Sequence, residues 1–273
     1  EFGCDNTEII DNIIINLKDG IKLESDNNQI KNNNFYNCGI YVSKASNDNI
    51  IIDNFVNDKR IIYLENKNNQ NYDNIGQIIL KNCYEITIED SIISNTLNAI
   101  LMIKSNACNI KNITMKNSSI LLCESNNNIF EQNTIRRIDR NDPQMTAFRL
   151  LGSDKNQFLN NEISSLHGYG FYISYSNFNI IKYNDILKSS MGLSLTESDS
   201  NKIIENNFIG NVRSAYFLDS KKNEFAKNYW DRPRFIKIIV GSKTIFKGGL
   251  FRTPIVFSTF ITDSDPARKA INH

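Results

Sequence analysis

A chain of 273 residues with 40% hydrophobic content can bury a sizeable core, and a formal charge of +1 gives no overall field for nucleic acid or an anionic surface. No apolar run reaches the length of a membrane span, and the start, EFGCDNTEII, lacks the basic and apolar parts of a signal peptide. Asparagine is the dominant polar residue, a composition that disfavours prolonged helix.

Along the chain an apolar residue is followed five places later by another, again and again. The anchors are Ile10, Ile30, Ile50, Thr87, Ile110, Phe130, Phe158, Ile181, Ile203 and Phe225, most of them at nearly equal intervals. Some way beyond each anchor comes an alternating run such as GIKL, GIYV, AILM, AFRL, GFYI or GLSL. Alternation of period two is the mark of a strand with every second side chain facing a core. Short strands recurring at such an interval stack on themselves as a parallel β-helix. Leucine-rich repeats need fixed leucines and a helical arc, and propeller blades need a much longer repeat, so both are excluded.

Three places after the anchors stand Asn33, Asp53, Asp90, Asn133, Asn161, Asn184, Asn206 and Asn228, with Ile13 and Ile113 breaking the column. Stacked coils would place these amides one above another at a turn, where each bonds to the next. The column is therefore read as scaffold and not as a catalytic or metal-binding row.

Two intervals are long, from Ile50 to Thr87 and from Phe130 to Phe158. Insertions are expected near 56–77 and 136–146 on coils spanning 1–230, followed by a capping segment at 231–273. In the long strand, inward pairs run from Ile21/Leu23 through Ile78/Leu80 and Phe171/Ile173 to Tyr216/Leu218. The residues between them face out, and Ile79, Leu101 and Leu121 make a greasy stripe, with Tyr172 below. Such a stripe is a candidate binding surface, or a seat for the 56–77 insertion, whose RIIYL supplies matching apolar residues. The second arrangement leaves a monomer.

The repeat resembles the right-handed parallel β-helix family of carbohydrate-associated surface proteins called NosD-like after a periplasmic copper-binding member. The stretch VNDKRIIYLENKNNQNYDNIGQIILKNCYEITIEDSIISNT and the motif NYWDRPRFIKIIVG resemble the archaeal branch of that family. The resemblance implies an extracellular or cell-surface location, and the chain is read as a C-terminal part excised from a longer exported precursor.

Chemistry is concentrated at RRIDRNDP, which holds Arg137, Asp139 and Asp142, with His167 one coil later. β-Helix lyases use carboxylates for Ca²⁺ and a basic residue as base, while the paired-aspartate hydrolase pattern is absent here. Copper, implied by the namesake, needs imidazole or sulfur donors, and two histidines with scattered methionines do not supply a set. The five cysteines form no CxxC pair, and their odd number cannot make only internal disulfides; they read as small buried hydrophobes. The sequons at Asn112 and Asn117 are near chance in so asparagine-rich a chain.

The sequence thus predicts an all-β, right-handed parallel β-helix of about ten coils with a C-terminal cap. Its expected role is a non-catalytic surface module, structural or binding a polysaccharide or cell-surface glycan, without cofactor, nucleic acid or membrane span. The alternative is a polysaccharide lyase or epimerase at the 136–142 turn, with Ca²⁺.

Overall fold

The computed structural model describes residues 4–17, 19–137, 146–165, 167–233, 235–247 and 253–272. Strands make up the regular structure, and no helix occurs among the described residues. The repeat builds a parallel solenoid of about ten turns.

The main stack begins at Lys59–Glu65. A long sheet runs from that strand through Gln77–Lys81, Asn98–Ile103, Ser119–Cys123, Thr146–Leu151, Tyr169–Ser174 and Met191–Thr196 to Arg213–Leu218, each pair parallel. A second sheet descends from Asn68–Asp73 to Glu224–Ala226, and a third from Ile92–Ser94 to Tyr229–Trp230. Alternation sends Ile78, Leu80, Phe148, Leu150, Phe171 and Ile173 inward, where each is fully buried. Like residues stack on like in successive coils. Phe130 lies on Phe158 at 5.0 Å and Phe148 on Phe171 at 5.1 Å, with edge contacts between the two files.

The asparagine column is an interior ladder. Asn161, Asn184, Asn206 and Asn228 are buried, and in each of the last three Oδ1 accepts both the main-chain and side-chain N–H of the coil above. Each Nδ2 also donates to a carbonyl, as from Asn184 to Phe158 at 2.8 Å. The left-handed bend belongs to the residue before, such as Asn160, Tyr183 and Glu205 at φ of 54°, 60° and 55°. The amide is therefore there for its bonds and not for its backbone. A second buried file, Asn128, Asn156, Asn179, Asn201 and Asn223, and a serine file from Ser105 to Ser220 repeat the scheme at another corner.

Three anchors slip by one place. Ile9, Ile51 and Ile88 are the core-facing residues, so the ladder members are Asn12, Asn54 and Ser91 in place of Ile13, Asp53 and Asp90. Runs such as Ile50-Ile51-Ile52 fit either register, and a slip of one exchanges the faces. Likewise Ala215 and Phe217 point inward, and Tyr216 faces out opposite Ser194.

The segment expected as an insertion at 56–77 is itself a coil: its strands Lys59–Glu65 and Asn68–Asp73 lie in register on the main stack. Above it the chain turns back. Residues 8–56 form a short stack of their own, with sheets Glu8–Ile10/Gln29–Lys31/Ile50–Ile52, Ile13–Ile15/Asn34–Tyr36/Phe55–Val56 and Ile21–Leu23/Ile40–Val42. A tight hairpin at Asn57 and Asp58, both with positive φ, pairs Val56 with Lys59 antiparallel and starts the main stack.

At the lower end, Lys237–Lys247 and Thr253–Asp263 form an antiparallel hairpin. Asp263 is buried, and its Oδ2 accepts the main-chain and side-chain N–H of Asn228 and the indole N–H of Trp230, at 3.0 to 3.1 Å. The carboxylate supplies the acceptor that a further coil of the ladder would otherwise provide.

Candidate functional site

The outward side of the long sheet has two halves. In the upper half Ile79 and Leu101 are 0% exposed and Leu121 is 6% exposed. They join Leu23, Ile40, Val42, Ile51 and Val56 of the N-terminal stack in one apolar cluster. The short stack's third sheet stops at Ile40–Val42, which leaves one side of its core open, and the greasy stripe closes it. The stripe is therefore not an exposed binding surface, and residues 56–77 do not lie over it as a flap, although Val56, Ile61 and Tyr63 join its cluster at the upper end. It is an internal interface.

Polar contacts hold the same joint. The buried Lys81 ammonium pairs with Glu65 at 3.1 Å and donates to Asn47 Oδ1 at 2.9 Å and to the Ser46 carbonyl. Tyr63 donates to Glu65 at 2.7 Å, and burial followed by that carboxylate pushes its phenol well above the ordinary range.

Beyond Leu121 the sheet emerges from beneath the N-terminal coils. A cleft of about 320 Å³ opens there, bounded by Lys22 and Tyr41 on one side and Leu121, Arg137 and Arg149 on the other. On the far side of Tyr41 a second hollow of about 450 Å³ is lined by Leu101, Cys123, Leu151 and Tyr175. Burial, then the nearby Cys123, raises the Tyr41 phenol, while Lys22 and Arg149 oppose the rise. The Cys123 thiol is pushed up to about 11 by burial, against Arg149 and Lys44.

Below the cleft the outward file is polar and aromatic. Arg149, Tyr172, Ser194 and Tyr216 stand in register on successive coils. The Arg149 guanidinium lies 5.8 Å from the Tyr172 ring, Tyr169 meets Tyr172 edge-on at 5.5 Å, and Arg213 lies 5.2 Å from Tyr216. Arg149 and Arg213 are exposed, and the three tyrosine rings are half-buried. Of the charged side chains lining the cleft, Lys22, Arg137 and Arg149 are cationic and Asp19 is anionic.

The residues of the alternative, catalytic reading fall partly within the described residues. Arg137 is buried at the cleft and in register with Ser165, and His167 is exposed two places beyond that serine. Asp139 and Asp142 lie outside the described residues. Among the binding candidates Tyr172 alone is accessible. Arg149, Tyr169, Arg213 and Tyr216 were not singled out as ligands, although alternation places Arg149 and Tyr172 on one face.

A family model described as periplasmic copper-binding protein (NosD) matches residues 65–249. The chain belongs to the NosD family. No curated protein sequence matches this NosD-family chain. Among solved structures it is similar to a mutant of the periplasmic alginate epimerase AlgG, at 12% identity and a TM-score of 0.51, over 82% of this chain and 57% of that one. It is also similar to tailspike protein 2 of an Escherichia coli O157:H7 bacteriophage, at 12% identity and a TM-score of 0.35, over 81% of this chain and 34% of that one. The A-module of mannuronan C-5 epimerase AlgE4 from Azotobacter vinelandii matches at 10% identity and a TM-score of 0.30, over 81% of this chain and 75% of that one. The chain thus spans little more than half of the AlgG structure, and at this identity the likeness shows the fold alone.

Copper, which the family's description implies, is not suited by the donors among the described residues. Among the described residues no group of three His, Cys, Asp or Glu side chains is arranged to hold a metal ion. Cys38, Cys83 and Cys108 are buried, their thiols donate to main-chain carbonyls, and burial raises their pKa values, so thiolate ligation is opposed. No helix is long and apolar enough to cross a membrane among the described residues.

Proposed function

We propose that the chain is a non-catalytic glycan-binding module working outside the cytoplasm, and that the open half of its long sheet takes an acidic polysaccharide. The observation that carries this reading is the file of Arg149, Tyr172 and Tyr216, flanked by Tyr169 and Arg213, on a straight wall of rungs. From the Arg149 rung to the Tyr216 rung is roughly 14 Å, three strand spacings, so an extended chain meets several of these side chains at once. Ring faces offer a flat apolar surface to a sugar, and a guanidinium pairs a carboxylate through two parallel hydrogen bonds. The tyrosines already hold the guanidinium groups near their rings, which lowers the ordering cost on binding. The likeness to the alginate epimerase AlgG supports the glycan class, and the family's periplasmic description supports the location.

The enzymatic alternative, a lyase or epimerase at the 136–142 turn, is favoured by one feature, the buried Arg137 at the cleft. Binding and turnover are separated by titrating uronate oligosaccharides calorimetrically and following the mixture by NMR for an inverted or unsaturated uronate. Binding without conversion is expected, weakened about tenfold by Arg149→Ala and by Tyr172→Ala. Conversion abolished by Arg137→Ala would establish the alternative. Failure of every acidic glycan to bind would overturn both readings of this face.

A further inference from the structure

The open wall of the long sheet differs at its two ends. Downward it runs on. The pair Phe217↔Gly241 carries the sheet's register onto the first strand of the cap, where Ile239 turns inward and Val240 is exposed. By alternation Val240 therefore continues the outward file below Tyr216. Upward the wall stops within one rung. Arg149 stands on Leu121 and Leu121 on Leu101, and both leucines are buried in the cluster shared with the N-terminal stack. Tyr41 forms the edge of that roof. It packs against the same cluster and separates the two hollows, with Leu121 and Arg149 beside it in the first and Leu101 and Tyr175 in the second.

The cations gather at the blind end. Arg137 is only 2% exposed yet lines the cleft, and Arg149 lines it from the next rung. Lys22 stands at the same mouth but is paired with Glu24 at 2.8 Å, and Asp19 offsets some of the charge. Arg149 has the Tyr172 ring for a neighbour and no ion pair among the described residues. A carboxylate brought to this end meets one guanidinium fixed by burial and another at the surface, in a place partly screened from water, where such pairs are strongest.

We propose that the module recognises the end of an acidic polysaccharide. The terminal uronate seats under Tyr41 with its carboxylate at Arg137 and Arg149, and the sugars that follow run down the wall past Tyr172 and Tyr216. This rests on the glycan reading of the same face and adds which part of the polymer is taken. An interior segment that reached the cleft along the file would have to continue where the N-terminal stack already covers Leu101 and Ile79. A chain end has no such continuation.

The test is the stoichiometry of binding, measured by calorimetric titration of the full chain with a short oligouronate and with one several times its length. One protein per oligosaccharide chain is expected at both lengths, with affinities equal within about twofold. Tyr41→Ala should weaken both about fivefold, and Tyr41→Phe should bind as the parent does, since the ring and not the hydroxyl makes the roof. A number of proteins per chain that rises with length would overturn end recognition and leave the glycan reading standing. Parent-like affinity of Tyr41→Ala for both oligomers would also overturn it, by removing the roof from the site. Absence of binding by either oligomer would overturn the glycan reading, and this inference with it.

Discussion

The side-chain amide of Gln77 is hydrogen-bonded to both main-chain groups of Ile40: its Oε1 accepts the Ile40 N–H at 3.0 Å and its Nε2 donates to the Ile40 carbonyl at 2.8 Å. The same Nε2 donates to the Asn98 carbonyl at 2.9 Å. One buried side chain thus substitutes for a strand, joining the edge of the short stack to the main one.

Gln77→Glu is expected to break that joint. A carboxylate cannot donate, and it would face the carbonyls of Ile40 and Asn98 in a buried place, at a cost of about 3 kcal/mol. Hydrogen exchange should quicken over 21–42 while the long sheet below position 119 keeps its protection. Uniform loss of protection across the chain would show that the two stacks unfold as one unit.

Leu101→Asp should detach the N-terminal stack. The charge would replace a fully buried side chain in the cluster that closes the short stack's core. An uncompensated buried charge costs more than about 3 kcal/mol, enough to favour separation of the two stacks over keeping it buried. Limited proteolysis should then cut within 19–56 and leave a resistant core from about position 59 onward. Cleavage confined to 59–73 would place the seat of the stripe elsewhere.

Asn184→Leu should cost about 1–3 kcal/mol, because the N–H groups of Asn161 lose their acceptor and the Phe158 carbonyl loses a donor. Asn161→Leu should cost as much for the same reason. Asn34 is exposed on its strand with an ordinary backbone, and Asn34→Leu should shift stability by no more than about 0.5 kcal/mol. Urea denaturation of the three variants distinguishes an interior ladder from a surface one.

Asp263→Ala should expose the bottom of the rod. Three N–H groups, two from Asn228 and the indole of Trp230, lose their acceptor together. The Trp230 fluorescence should shift to longer wavelength, and deletion of 231–273 should give insoluble material, since the last coil would offer bare strand edges. A soluble, monomeric truncation would remove the capping role from this segment.

Alkaline pH should destabilise the fold through its cysteines. Burial raises the Cys108 thiol from 9.0 to about 11 in the folded chain. The folded state then holds its proton where the unfolded state loses it, so its contribution is intact below about pH 9 and is lost on the way to about pH 11. A shift of that size corresponds to about 2–3 kcal/mol at the alkaline end. Replacing Cys108 with Ala should flatten this part of the pH–stability curve, although it lowers the curve as a whole through the lost packing.

The sequence alone determined the repeat, the parallel stacking and the inner ladder, because a strand's side-chain period and the coil length are local properties written afresh in every coil. Where local signals were degenerate, the sequence misled by one place: Ile50-Ile51-Ile52 reads equally well in two registers, and the partner strands alone choose Ile51. The greasy stripe was legible as outward-facing, since Ile79, Leu101 and Leu121 alternate with core residues. What covers it was not. Tertiary structure decided that, because the hairpin at Asn57 and Asp58 reverses the chain and folds the stack that precedes it onto a face assembled from strands much later in the chain. The same reversal leaves Arg149, Tyr172 and Tyr216 uncovered, so the candidate site exists as a boundary between buried and open halves of one sheet. Period and propensity fix which way a side chain points; only the long-range packing of one stack on another fixes whether it meets water.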